Sequence, residues 1–195
     1  RQLRNDTFSK MKYPQKESTG IDFEILDDLI SPGYQDYIER TVTDKDFPWF
    51  YLPSVSLADV ELDPFTGFTH TCFKDEGYQN RYSDMLLPLL YTALGDIPLK
   101  HLYRMRLGMF VKNQNPVGAH TEHIDYPKDD HKTLIYYIND ADGPTNIYDK
   151  RGGKIIEQIE FKRGRCLVLN GDVWHSSSSP KQAERRMVIN YNFKI

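Results

Sequence analysis

The second half of the chain consists of short segments in which aliphatic, aromatic and β-branched residues alternate with polar ones. Turn sequences such as DADGP, KRGG and NGD separate most of these segments. None of the intervals between them has the apolar spacing of a helix. The pattern therefore predicts a series of β-strands, at 102–111, 132–139, 145–149, 154–161, 165–170, 173–178 and 186–193. Short strands at this close spacing are typical of an antiparallel sandwich or barrel.

The first half of the chain contains two segments with helical periodicity. The segment 31–44 begins with Ser31 as a candidate N-cap and Pro32 at the first helical position. A helix there is predicted to place four residues on one face, namely Tyr34, Tyr37, Ile38 and Thr41. The segment 80–96 is the second predicted helix, and Gly95 is its expected stop.

Further segments of the first half favour extended structure. Residues 23–30 and 66–73 are predicted strands. Residues 47–56 are rich in aromatic residues and prolines, which favours an edge strand or a loop. Residues 1–20 have little hydrophobicity, and we expect an extended or poorly ordered lead-in.

Length and composition agree with a single domain. Hydrophobic residues at 39% and charged residues at 27% are typical of a globular protein, and 13% aromatic residues suit a β-rich fold with a lined cavity. We therefore expect a mainly β (α+β) domain over residues 1–195. In it, residues 1–99 form a helical and strand support, and residues 100–195 form the β core.

Charge and cysteine content narrow the functional classes. The net charge of -3 gives no general attraction to nucleic acids or anionic membranes. The two cysteines, Cys72 and Cys166, lie outside any CxxC pattern, which excludes a disulfide scaffold and a cysteine zinc site. No apolar run reaches the roughly 18 residues of a membrane span, and the first residues lack the apolar core of a signal peptide. We expect a cytoplasmic protein without a nucleic-acid or membrane partner, and the sequence leaves its oligomeric state open.

Candidate chemistry is concentrated in the stretch HTEHIDYPKDDHKTLIYYIND, residues 120–140. His123 and Asp125 are two residues apart, so in extended backbone both side chains lie on one face and can reach one ion. His175 follows on another predicted strand after the NG turn. Two imidazoles and one carboxylate form the facial triad that holds non-haem Fe(II) and leaves coordination positions open. An arginine opens the last strand, and a buried guanidinium requires an anion.

This ordered set resembles the Fe(II)/2-oxoglutarate-dependent dioxygenases, most closely their prolyl-4-hydroxylase-like branch. The family pattern is HxD, a distal His, and then Arg or Lys. Here it corresponds to His123-Ile124-Asp125, His175 and Arg186, and the segments HIDYP, TLIYYIN and RMVINYNF match family strands within residues 100–195. An HxD pair alone is a weak signal, whereas the ordered set is specific. The resemblance implies a double-stranded β-helix, which is a jelly-roll or cupin-like fold.

The resemblance also implies cofactors and site residues. Fe(II) would be held by His123, Asp125 and His175, with 2-oxoglutarate as cosubstrate, O2 as oxidant and ascorbate as a supporting reductant. The far carboxylate of 2-oxoglutarate would pair with Arg186 and with the hydroxyl of Tyr137. Two residues on the strand face of Tyr137 would line the cosubstrate pocket, namely Thr133 and Ile135.

The sequence leaves two choices of residue open, one for the first half of the triad and one for the arginine. The overlapping HTE sequence offers His120 and Glu122 as a rival first half of the triad. Arg185 competes with Arg186, because strand alternation groups Arg185 with the more apolar residues of the last strand. Of the other histidines, His131 is expected in a solvated turn. His70 and His101 are expected to be structural.

Three functions compete at this point. The resemblance implies a dioxygenase that hydroxylates an unactivated C–H bond of a peptidyl (prolyl-type) or amino-acid substrate, with release of succinate and CO2. A small metabolite is the alternative substrate. A cupin-like metal-binding protein without turnover would use the triad but has no need for a carboxylate clamp. A zinc hydrolase would use the same ligands, although no glutamate base follows the pattern.

Overall fold

The structure is a computed structural model that describes residues 23–55, 65–112, 118–127 and 130–195. These residues form two helices, α1 (Pro32–Thr43) and α2 (Ser83–Leu94). The strands are β1 (Phe23–Leu26), β2 (Phe50–Leu52), β3 (Gly67–Lys74), β4 (Tyr78–Gln79), β5 (His101–Val111), β6 (Lys132–Tyr137), β7 (Thr145–Tyr148), β8 (Ile155–Ile159), β9 (Cys166–Asn170), β10 (His175–Ser176) and β11 (Arg185–Lys194). Neither helix of the described part is long and apolar enough to cross a membrane.

The strands form two antiparallel sheets. The large sheet has the order β1-β9-β6-β11-β5-β3-β2, with β4 paired to β3. The small sheet has the order β10-β7-β8. Isolated bridges from Ala119 to Ser178 and from His123 to His175 attach the segment before β6 to the small sheet beside β10. The segment that contains the HxD sequence therefore lies next to the strand that carries the distal histidine.

The two faces of the large sheet carry different residues. On β11, Met187, Ile189 and Tyr191 pack with apolar residues of α1 and α2 in the main core. The alternate residues of β11 point to the other side, where Val188 packs with Ile135 of β6 in a second core between the sheets. Both faces of β11 are thus buried, and its polar residues lie on the inner face, between the two sheets.

Helix α1 begins as predicted but buries a different face. The Ser31 side chain caps the helix by accepting a hydrogen bond from the Tyr34 amide, at 3.4 Å. The buried residues are Gln35, Ile38 and Val42. Tyr37, which the periodicity grouped with Ile38 on one face, does not share its burial, since Tyr37 is 50% exposed. The polar Gln35 is buried because its side-chain amide donates a hydrogen bond to the backbone oxygen of Ile30, at 3.1 Å.

Ion pairs connect the turn between β8 and β9 to the N-terminal elements. Arg165 donates two hydrogen bonds to the carboxylate of Asp27, at 2.7 and 2.9 Å. Arg163 pairs with Asp36 and Glu39 of α1. The bidentate Arg165 pair is the geometry in which an arginine is most strongly held by a carboxylate.

Most predicted elements are confirmed by the structure. Each predicted strand of the second half contains an observed one, although only His175–Ser176 of the segment 173–178 forms a strand. The strand β4 was not predicted, and the prediction for residues 1–20 lies outside the described residues. The expectation that His131 lies in a solvated turn was wrong. His131 is 5% exposed, because its ring lies against Gly171, where even a Cβ atom would come within 2.3 Å of it.

Candidate metal and cosubstrate site

The HxD segment and β10 hold two histidines side by side. The His123 amide donates to the backbone oxygen of His175 at 2.9 Å, and the His175 amide donates back to His123 at 3.0 Å. The two imidazole rings are 4.9 Å apart between centroids. Asp125, two residues after His123, is on the same face of this extended segment. One ligand atom each from His123, Asp125 and His175 lies within 4.8 Å of the others, and no second such group occurs among the described residues.

Backbone carbonyl groups fix the orientation of both imidazole rings. His123 Nδ1 lies 3.0 Å from the oxygen of Thr121, and His175 Nδ1 lies 3.0 Å from the oxygen of Val173. A carbonyl oxygen only accepts hydrogen bonds, so each Nδ1 carries a proton, and in the neutral ring each Nε2 keeps its lone pair. This second hydrogen bond is the usual device that orients a metal-binding histidine. Both Nε2 atoms face the Asp125 carboxylate, at 3.8 Å for His123 and 3.3 Å for His175.

The carboxylate of Asp125 is buried and only partly hydrogen bonded. Asn190 Nδ2 donates to its Oδ1 at 2.9 Å, and Arg104 donates to the backbone oxygen of Asp125 at 2.7 Å. Oδ2 has no hydrogen-bond partner among the described residues. A buried carboxylate oxygen that faces two imidazole lone pairs is unfavourable unless a cation lies between them. The donor set thus fits a divalent metal ion, and two nitrogens with one oxygen suit Fe(II).

The pKa shifts of His123, Asp125 and His175 bear on whether a cation is favoured between them. Burial, followed by the neighbouring His175, lowers the pKa of His123. Burial also acts to lower the pKa of His175, but the Asp125 carboxylate outweighs it and raises that pKa. Burial would raise the pKa of Asp125, yet the two histidines and Arg104 together lower it. The shifts at Asp125 and His175 show that the carboxylate favours a positive charge beside it, which a proton on His175 or a metal ion can supply.

A buried arginine lies in the same cavity as the histidines. Arg186 is 2% exposed, and Arg186, His123 and His175 line one cavity with an empty volume of about 550 Å³ that includes its mouth. The guanidinium donates to the backbone oxygen of Gly143 at 3.0 Å and to Thr145 Oγ1 at 2.9 Å, and it lies 4.4 Å from the ring centre of Phe161. No carboxylate among the described residues pairs with it. Burial lowers the pKa of Arg186 to about 10, so the group is charged near pH 7.

Thr145 connects Arg186 to Tyr137. Tyr137 donates its hydroxyl hydrogen to Thr145 Oγ1 at 2.7 Å, and the Arg186 guanidinium donates to the same oxygen. Because both lone pairs of Oγ1 accept hydrogen bonds, the hydrogen of the Thr145 hydroxyl is left to donate. Thr145 lines the cavity, so this hydrogen is available to an anion beside Arg186. The tyrosine hydroxyl was expected to face the anion itself, and here it faces Thr145.

The other two residues expected at the cosubstrate have different positions. Ile135 lines the cavity. Thr133 is buried on the same strand, but its hydroxyl accepts a hydrogen bond from Asn192 at 3.0 Å, further along β6 and away from Arg186. The structure thus brings Ile135 to the cavity with Arg186 and leaves Thr133 in the polar layer behind the triad.

The rival metal ligands of the HTE sequence and the rival arginine, Arg185, have clear positions in the structure. Both ring nitrogens of His120 are engaged, with Ser177 at 2.9 Å and Ser179 at 2.7 Å, and Glu122 accepts a hydrogen bond from the Gly152 amide. Burial, followed by the charge of Arg186, lowers the pKa of His120 to about 3, so this ring is neutral. Arg185 is exposed. His120 and Arg185 are therefore placed away from the metal group and the cavity.

Sequence reasoning missed four polar residues around the site, namely Arg104, Arg106, Thr145 and Asn190. Arg104 and Asn190 face inward from neighbouring strands of the large sheet. The signal was present in β11, where Arg186, Asn190 and Asn192 alternate with apolar residues. A strand that is buried on both faces and still carries polar residues on one of them indicates a site on that face.

Solved structures show which fold this is. No protein-family model matches the sequence, and no curated protein matches it either. A 2OG-Fe(II) oxygenase family oxidoreductase from Burkholderia pseudomallei is 11% identical with a TM-score of 0.65, over 88% of this chain and 84% of that one. A prolyl hydroxylase from Trichoplax adhaerens, in complex with a hypoxia inducible factor peptide fragment, is 17% identical with a TM-score of 0.62, over 99% and 92%. The alpha ketoglutarate dependent epimerase SnoN from nogalamycin biosynthesis is 12% identical with a TM-score of 0.61, over 89% and 77%.

These similarities extend over most of each chain at low identity, and they therefore establish the fold. The predicted double-stranded β-helix is confirmed, and it is the fold of 2-oxoglutarate- and Fe(II)-dependent oxygenases, including prolyl hydroxylases. Function has to be argued from the site itself.

Proposed function

We propose that this protein is an Fe(II)- and 2-oxoglutarate-dependent dioxygenase that hydroxylates an unactivated C–H bond and releases succinate and CO2. The observation that carries the proposal is one cavity with two complementary sites. The first is the set of His123, Asp125 and His175, with both Nε2 lone pairs and a carboxylate oxygen converging. The second is a buried, charged Arg186 without an anion partner among the described residues.

The arginine site favours this function over simple metal binding. Burying a guanidinium without an anion is costly, and a protein that only stores a metal ion gains nothing from it. A cosubstrate with two carboxylates can bind the metal with one end and pair with Arg186 at the other. The bidentate fork of an arginine matches such a carboxylate, and the Thr145 hydroxyl would donate a further hydrogen bond to it.

In this proposal the chain positions the reactants, and the cofactor carries the oxidation. Bound iron supplies the redox chemistry that couples decarboxylation of 2-oxoglutarate to oxidation of a C–H bond by O2, with ascorbate as a supporting reductant. His123, Asp125 and His175 hold the metal and leave coordination positions open toward the cavity. Thr121 and Val173 fix the imidazole rings through their backbone oxygens.

For the substrate, we infer a peptidyl or amino-acid side chain, with a small metabolite as the alternative. The support is analogy of fold alone: one similar structure holds a peptide fragment, and another is an epimerase from nogalamycin biosynthesis. The negative net charge of the chain argues against a nucleic acid, and a cytoplasmic location remains part of the proposal.

Release of succinate tests the proposed function. Purified protein is incubated in air with Fe(II), ascorbate and 2-oxoglutarate, and succinate is quantified with and without a mixture of candidate peptides and amino acids. We expect slow succinate release without substrate, none after replacing Fe(II) with Zn(II), and none for His175→Ala. Succinate release equal in wild type and His175→Ala would contradict the proposal, as would failure of the Mn(II)-loaded protein to bind 2-oxoglutarate at millimolar concentration.

A further inference from the structure

A second arginine lies in the cavity, and none of the described residues forms a hydrogen bond with it. Arg106 lies on β5 and lines the cavity together with Gly108 and Phe110. Its guanidinium makes no hydrogen bond or close ion pair with any of the described residues, and the Asp125 carboxylate acts on it only electrostatically. The neighbouring Arg104 differs, because it donates hydrogen bonds to Asn192 and to the backbone of Asp125. Arg106 therefore offers a complete set of N–H donors to a ligand.

Arg106 and Arg186 lie at different levels of the inner face, Arg106 midway along β5 and Arg186 at the start of β11. Arg106 is paired in register with Asn190, which donates to the Asp125 carboxylate, whereas Arg186 is paired with Phe110, four residues further along each strand. At a rise of about 3.4 Å per residue, this separation amounts to roughly 14 Å along the sheet. The far carboxylate of a cosubstrate paired with Arg186 therefore does not reach Arg106, which lies level with Asn190 and the Asp125 carboxylate of the metal group.

The charges in the cavity do not balance with metal and cosubstrate alone. A divalent ion and the two arginines bring four positive charges, and Asp125 brings one negative charge. 2-Oxoglutarate supplies two more negative charges, so one positive charge remains, and it belongs to the unpaired Arg106. Arg104 increases the excess, since its guanidinium is 3.8 Å from Asp125 Oδ1. Arg106 is half-buried. An uncompensated charge that is partly removed from water is costly, and binding of an anion relieves that cost.

We propose that Arg106 is the substrate-anchoring residue of this site and that the substrate carries a carboxylate, which Arg106 pairs with beside the metal. The inference rests on the proposed function and narrows its substrate class to acids. The carboxylate would bring the neighbouring carbon of the substrate close to the open coordination positions of the metal. Neutral side chains of a peptide, such as an internal proline, lack this group.

Paramagnetic broadening tests the subsite without knowledge of the substrate. The protein is loaded with Mn(II) and saturating 2-oxoglutarate, and acetate or acetamide is added as an NMR probe in separate samples. Wild type, Arg106→Gln and Arg185→Gln are compared, the last as a matched variant of an exposed arginine. We expect the acetate methyl signal to broaden in wild type and Arg185→Gln and at least tenfold less in Arg106→Gln, with little broadening of acetamide in any sample. Inorganic phosphate, followed by ³¹P broadening, distinguishes a phosphate subsite from a carboxylate one.

The outcomes separate this inference from the proposed function. If Mn(II) and 2-oxoglutarate bind but acetate broadens equally in wild type and Arg106→Gln, the anion subsite is absent and the oxygenase proposal stands. If phosphate broadens more strongly than acetate, the carboxylate assignment is wrong. If Arg106→Gln weakens 2-oxoglutarate binding tenfold or more, Arg106 serves the cosubstrate and the inference is overturned. If 2-oxoglutarate does not bind wild type, both proposals fail together.

Discussion

His123 and His175 exchange two backbone hydrogen bonds, at 2.9 and 3.0 Å, although they lie on segments far apart in the sequence. This pairing sets the distance between the two imidazole rings through the backbone, before any metal is bound. The Nδ1 atoms are then held by the carbonyl oxygens of Thr121 and Val173. The metal site is therefore preorganised. We expect substitutions of single residues to change metal binding or 2-oxoglutarate binding separately.

The first prediction concerns the metal ligands. His123→Ala and His175→Ala should abolish the rise in melting temperature on adding Fe(II) under anaerobic conditions, because each removes a ligand. A ligand at 100 times its Kd stabilises a protein by about 2.7 kcal/mol, which is readily measured. His120→Ala should lower the melting temperature of the apoprotein, since it removes a buried ring, yet keep the Fe(II) shift. If His123→Ala keeps the shift and His120→Ala loses it, the HTE sequence is the first half of the triad.

The second prediction concerns the two adjacent arginines. Arg186→Ala should weaken 2-oxoglutarate binding to the Mn(II)-loaded protein, measured by calorimetry, by one to two decades or more. A charge-assisted hydrogen bond is worth about 1.5–3 kcal/mol, and each 1.4 kcal/mol is about tenfold in Kd. Arg186→Lys should recover part of the loss, since a point charge attracts the carboxylate without forming the fork. Arg185→Ala is the control and should change the Kd little, because Arg185 is exposed. A large loss at Arg185 with none at Arg186 would reverse the assignment.

The third prediction concerns Thr145, which the sequence did not indicate. Thr145→Val keeps the shape of the side chain but removes the hydroxyl oxygen that accepts hydrogen bonds from both Arg186 and Tyr137. An unsatisfied buried donor costs about 1–3 kcal/mol, so the variant should have a lower free energy of unfolding in urea. It should also bind 2-oxoglutarate more weakly, whereas Thr145→Ser should retain both properties. Wild-type 2-oxoglutarate affinity in Thr145→Val would show that the hydroxyl does not contact the cosubstrate.

The fourth prediction concerns stability and pH. The hydrogen bond from Arg165 is the main cause of the lowered pKa of Asp27. A carboxyl group with a lowered folded-state pKa contributes stability above its unfolded pKa, about 3.9, and loses it as the pH falls through the folded value. Asp27→Asn should therefore reduce the free energy of unfolding at pH 7 by up to about 1 kcal/mol, since the pair is partly exposed. The difference from wild type should narrow below about pH 4. Asp96→Asn, an exposed control, should match wild type at both pH values.

The sequence was sufficient for much of the fold because β11 and its neighbours alternate strictly between two environments. It was insufficient where burial depends on a distant partner. His131 was expected in solvent, and it is buried by contact with Gly171, which lies in the turn after β9. Likewise, the buried face of α1 depends on where the helix docks, and Gln35 is buried only because Ile30 supplies an acceptor.

The metal ligands could be identified from the sequence, whereas the polar residues around them could not. His123, Asp125 and His175 could be selected from residue type and order, because the metal requires those donors. Arg106, Asn190 and Thr145 could not, since arginine, asparagine and threonine in strands are common on solvated faces as well. Only the position of the second sheet makes their face an inner one.

The most direct test of the account is whether the metal and Arg186 hold one molecule of 2-oxoglutarate between them. Anaerobic protein with Fe(II) is titrated with 2-oxoglutarate, and the visible charge-transfer absorption of the iron-bound 2-oxo acid is recorded in wild type, His175→Ala and Arg186→Ala. We predict a saturable band in wild type, no band in His175→Ala, and in Arg186→Ala a band that appears only at ten- to hundredfold higher 2-oxoglutarate. A wild-type protein that binds Fe(II) but gives no band at millimolar 2-oxoglutarate would contradict the account, and so would identical titrations in wild type and Arg186→Ala.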